Sequence, residues 1–60
     1  MKRSDILRAL QRAGLVLDEG GKHTKVYTPD GRFVATVPRH KEIKDFLAKR
    51  IAEQTGVKLL

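Results

Sequence analysis

Three features of the sequence predict a two-layer α+β fold of order helix–strand–strand–strand–helix. Apolar residues recur at helical spacing near the start and again near the end. Between these stretches lie short runs that alternate apolar and polar side chains, as half-buried strands do. Glycine and proline punctuate the runs tightly enough for hairpin turns. The expected architecture is a three-stranded antiparallel sheet with both helices on one face, leaving the other face uncovered.

The first helix is expected over Ser4–Ala13. Ile6, Leu7, Leu10 and Ala13 form its inward stripe, while Arg8, Gln11 and Arg12 lie elsewhere on the wheel. Ser4 is placed to cap the first turn through its hydroxyl, and Asp5 complements the positive end of the helix dipole. Gly14 supplies the residue that closes the helix. Leu15–Asp18 reads as a short strand, and Glu19-Gly20-Gly21 turns the chain into the next.

From His23 the side chains alternate, with His23, Lys25 and Tyr27 on one face and Thr24, Val26 and Thr28 on the other. Val26 is the most apolar of these, so its face is assigned to the core, and His23 and Lys25 are left to solvent or a ligand. Pro29-Asp30-Gly31 is a turn, because proline presets φ and glycine accepts φ > 0. The third strand is expected over Phe33–Val37, with Phe33, Ala35 and Val37 facing inward, and Pro38 ends it. Arg39-His40-Lys41-Glu42 is a basic loop. A second helix starts at Ile43 or Lys44 and runs to Thr55, with Ile43, Phe46, Leu47, Ala48 and Ile51 on its apolar side and Gly56 closing it. Val57–Leu60 is a short tail.

The 60 residues are read as one domain spanning positions 1–60. With no cysteine, neither a disulfide nor a thiolate metal site is available to support so small a core. No apolar run approaches the roughly 20 residues of a membrane span, and the expectation is a soluble, cytoplasmic protein that meets no membrane. Thirteen Lys and Arg against seven Asp and Glu give a net charge of +6. Between Gly20 and Lys44, Lys22, Lys25, Arg32, Arg39, Lys41 and Lys44 face only Asp30 and Glu42. Clustered positive charge favours a polyanion, nucleic acid above all; the competing reading is a solvated surface kept soluble by its charge. The carboxylates are scattered, with no spacing that suggests a metal site, so neither metal nor cofactor is expected.

Gly21-Lys22-His23, the Pro29-Asp30-Gly31-Arg32 turn, Val37-Pro38-Arg39-His40 followed by Glu42-Ile43-Lys44, and the closing Gln54-Thr55-Gly56 together carry a family resemblance. In this order and spacing the chain resembles the HicA toxins, the small mRNA-cleaving members of HicA–HicB toxin–antitoxin pairs. The resemblance covers nearly the whole chain. It implies a fold like that of a double-stranded-RNA-binding domain, agreeing with the order read above. It also implies endoribonuclease activity on mRNA, a HicB antitoxin as partner, and a catalytic role for the glycine-associated histidine, here His23. Lys22 stands where the family commonly has serine.

RNA carries its own nucleophile, the 2′-OH, so cleavage needs a base for the hydroxyl proton and cations around the phosphate. A histidine suits the first task and lysines or arginines the second. The expected site is therefore His23 as general base, with Lys22, Lys25, Arg32, Arg39, His40 and Lys41 contacting RNA. Lys22 and Lys25 are the cations expected at the scissile phosphate. Tyr27 is read as covering the sheet edge or stacking on an unpaired base, and Lys44, Lys49 and Arg50 as solvated charges. The alternatives are a non-catalytic RNA-binding module of the double-stranded-RNA type and a protein-interaction adaptor.

Overall fold

The computed structural model describes residues 1–60. The order is α1 (Arg3–Arg12), β1 (Val16–Asp18), β2 (Thr24–Tyr27), β3 (Phe33–Val37) and α2 (Asp45–Thr55). The sheet is antiparallel with spatial order β1-β2-β3. This is the α-β-β-β-α arrangement of the double-stranded-RNA-binding type. Both helices cover one face. Ile6 and Leu10 of α1 and Ala48 and Ile51 of α2 meet Val26, Ala35 and Val37 of the sheet, with Ile43 completing the core. Leu7, Leu15, Leu17, Leu47, Val57 and Leu59 pack partly buried around it, so the C-terminal tail folds back onto the core.

Ser4 is not the N-cap. Lys2 holds that position with no side-chain cap, because the chain before α1 runs antiparallel to the segment entering α2. The Arg3 N–H donates to the Lys41 carbonyl at 2.9 Å and the Ile43 N–H to the Met1 carbonyl at 2.7 Å. The pairing starts the helix at Arg3, so Ser4 lies inside the first turn, and the Ile6 N–H that a Ser4 cap would receive goes to the Lys2 carbonyl at 3.2 Å. The other end closes as expected: Gly14 N–H donates to Gln11 O at 3.0 Å and Leu15 N–H to Leu10 O at 3.1 Å, the double bond of a Schellman motif.

Two aromatic residues leave the core. Val26 pairs with Ala35 but Tyr27 pairs with Phe33, so Val34 is an extra residue in β3 and the register shifts there. The bulge reverses the alternation, placing Phe33 on the open face beside Tyr27 at 53% exposure. The two rings meet edge-on, centroids 5.7 Å apart. Phe46 is 62% exposed because the buried face of α2 is set by Ala48 and Ile51, which at about 3.6 residues per turn lie on the opposite side of the helix from it. Ala13, at the end of the α1 stripe, is exposed as well.

Candidate functional site around His23

His23 lies in the bend before β2 and is exposed. Two glycines bring it there. The Gly20 N–H donates to Asp18 Oδ1 at 3.0 Å, turning the chain out of β1. Gly21 then takes φ of 90°, a conformation in which a side chain is strained, although nothing lies within 4 Å of where its Cβ would stand. The requirement at Gly21 is therefore one of backbone geometry and not of space.

The start of β2 is anchored by Thr24, the one polar residue that is completely buried. Its hydroxyl donates to Glu19 Oε1 and accepts from Arg3 Nη2. Arg3 Nε also donates to the Pro38 carbonyl at 2.9 Å, and its Nη2 reaches Glu19 Oε1 at 3.4 Å. Arg39 donates to the Glu19 carbonyl and holds an ion pair with Glu19 Oε1 at 3.8 Å. One carboxylate, one hydroxyl and two guanidinium groups thus tie the start of α1, the β1–β2 loop, β2 and the exit from β3 together, next to His23. The hydrogen bond from Thr24, then the charges of Arg3 and Arg39, hold the Glu19 carboxyl below its ordinary range against an opposing desolvation effect. Thr24 was expected on the core face. A buried threonine must find partners for its hydroxyl, so the sequence carried the signal for this network without naming its members.

Because Thr24 pairs with Val37, His23 stands across from Pro38. There the β2–β3 edge and α2 enclose a cleft of about 200 Å³, lined by His23, Thr36, Pro38, Leu47, Arg50, Ile51 and Gln54. Leu47, Arg50, Ile51 and Gln54 share one helix face through their spacing of three and four residues. No carboxylate lines this cleft. Arg50 and Gln54 were not among the residues expected at the site, and Arg50 had been read as an ordinary surface charge.

The expected RNA contacts scatter. Lys22 adjoins His23 in the same bend, and Lys25 is exposed on the open sheet face opposite Asp18 and Thr36. Arg32 sits at the far end of the β2–β3 hairpin, in the turn closed by Gly31 N–H to Thr28 O at 2.9 Å and Thr28 N–H to Arg32 O at 2.8 Å. Arg39 is committed to Glu19. Lys41 lines a separate polar hollow with Lys2, Arg3, Ser4, Arg39 and Glu42. His40 lines another, with Glu42, Ile43, Lys44, Phe46 and Leu47, so the two histidines open onto different clefts. No three His, Cys, Asp or Glu side chains converge as a metal site would require, and no helix is long and apolar enough to cross a membrane.

Fold and site together define a small α+β domain of double-stranded-RNA-binding type with an exposed histidine at a cation-bearing cleft. The family model of the HicA toxin of bacterial toxin–antitoxin pairs matches residues 3–57. The chain belongs to the HicA toxin family, which makes it the toxin component of such a pair and implies a cognate antitoxin. No curated protein and no solved structure gives a significant match.

Proposed function

We propose that the protein is a metal-independent endoribonuclease that cleaves mRNA with His23 and is silenced by an antitoxin of HicB type. The observation that carries this reading is the exposed imidazole of His23 at a cleft free of carboxylates, in a chain of the HicA toxin family. In the proposed reaction His23 takes the proton of a ribose 2′-OH. The 2′-oxygen attacks the adjacent phosphorus, and the bond to the 5′-oxygen breaks. The departing oxygen takes a proton from solvent, leaving a 2′,3′-cyclic phosphate and a 5′-hydroxyl. Lys22 beside the imidazole and Lys25 on the open face supply positive charge to the phosphate as it gains negative charge. Arg32 and Lys41, outside the cleft, add positive charge that draws RNA in with strongly salt-dependent affinity, His40 contacts it from a separate hollow, and Arg39 stays held by Glu19.

An acidic antitoxin surface laid over the basic patch competes with RNA by charge and by area. Incubating the purified protein with a synthetic mRNA fragment in excess EDTA tests the reading. Cleavage is expected on the all-ribose fragment and none where the nucleotides are 2′-deoxy. RNA that is retarded in a gel yet stays intact marks a non-catalytic binding module instead.

A further inference from the structure

We infer that Arg50 of α2 grips the scissile phosphate opposite His23, with Gln54 one turn on contacting the same nucleotide. This rests on the reading of the His23 cleft as the RNA-cleaving site and adds a residue from the other side of it. The cleft has two walls, and His23 stands on one of them. Leu47 and Ile51 turn apolar surface to the cleft from α2, while Arg50 and Gln54 carry its polar groups. Arg50 is the only Lys or Arg side chain that lines it.

The arginines differ in what they already hold. Arg3 and Arg39 are bound to Glu19, and Arg8 lies 3.5 Å from Asp5. Arg50 is exposed and takes part in no ion pair and no side-chain hydrogen bond. Its guanidinium is a fork of N–H donors matched to two phosphate oxygens, and no carboxylate in the cleft competes for it. A phosphodiester held there lies between the imidazole and the guanidinium. His23 then faces the ribose hydroxyl, while Arg50 faces the non-bridging oxygens on which charge accumulates. The Thr36 hydroxyl and the Gln54 amide supply uncharged hydrogen-bonding groups at the rim.

Two measurements test this. In the first, kcat and KM for a short RNA are compared among wild type, Arg50→Gln, Arg50→Lys and Arg12→Gln, the last an equal loss of charge on the exposed end of α1. Arg50→Gln is expected to lower kcat by about 10²–10³-fold, as removal of one transition-state donor does. Arg50→Lys recovers part of that loss and Arg12→Gln stays within about 3-fold of wild type, while all four melting curves superimpose. In the second, the Arg50 Nε–H resonance of the wild-type protein is followed while a non-cleavable 2′-deoxy oligonucleotide is titrated in, and it should shift together with the His23 ring. An Arg50 resonance that stays fixed while the oligonucleotide binds overturns the inference and leaves the His23 reading standing. So does Arg50→Gln turnover equal to that of Arg12→Gln. A protein that shifts at Arg50 but never cleaves RNA supports the phosphate site and overturns the ribonuclease reading.

Discussion

Replacing Thr24 by valine removes one buried hydroxyl and almost no volume, so it isolates the network that holds the start of β2. Thr24 is 0% exposed and its hydroxyl serves two charged partners, donating to Glu19 and accepting from Arg3. Hydrogen bonds to charged groups contribute about 1.5–3 kcal/mol each. Glu19 is 55% exposed and remains 3.4 Å from Arg3, so water and the surviving ion pair recover part of that sum. A loss of about 2 kcal/mol is expected, below the two-bond total of about 3–6 kcal/mol. For a domain of this length that corresponds to a fall in Tm of about 8–16 °C. A core this small supplies only about 3–5 kcal/mol, so the variant should be partly unfolded near body temperature. Urea denaturation followed by far-UV circular dichroism gives the number. Thr24→Ser is the control, since it keeps the hydroxyl and loses one methyl worth about 0.8 kcal/mol. If serine proves more damaging than valine, packing of the methyl and not the polar network anchors the strand.

The expectations for other positions follow the same geometry. Ile51→Ala empties a core position that is 3% exposed and should cost about 2–5 kcal/mol, enough to unfold the domain, whereas Phe46→Ala should stay within about 0.5 kcal/mol by the same denaturation assay. Gly21→Ala forces a side chain into φ of 90° and should cost about 1–2 kcal/mol, with RNA cleavage falling further than stability because the adjoining bend carries His23. Folding depresses the carboxyls of Glu19 and Asp30 below their ordinary values of 4.5 and 3.8, the latter through the Thr28 hydroxyl and then backbone amides. The stability these groups lend is therefore complete above those values and lost as pH falls through the folded pKa. The urea midpoint should hold steady from neutrality down to about pH 5 and decline below it, and Glu19→Gln should flatten that decline.

Most of the fold was legible because its elements announce themselves locally. Ile6 and Leu10 repeat at helical spacing, Thr24 and Val26 alternate with Lys25, and Gly14 and Gly56 stand where helices stop. What escaped was decided by contacts distant in sequence. Ser4 lies inside the first turn because the pairing of Met1 and Arg3 with Ile43 and Lys41 starts the helix at Arg3, which helix-capping preferences do not reveal. Phe33 faces outward because a single bulge at Val34 reverses the pleat, and alternation alone does not locate a bulge. In the candidate site His23 was visible through its glycines and basic neighbours. Arg50 was not, because its relation to His23 exists only once α2 lies against the β3 edge. Its spacing from Leu47 and Gln54 was the one available hint.

Single-turnover cleavage of one defined RNA by wild type and by His23→Ala, both shown to be folded, bears most directly on whether this imidazole does chemistry. The expected result is clean cleavage by wild type to fragments ending in a 2′,3′-cyclic phosphate. The variant should bind the RNA with similar affinity yet cleave at least about 100-fold more slowly, the smallest loss usual for a general base. Cleavage by His23→Ala at the wild-type rate would contradict the account and return His23 to the status of a surface residue.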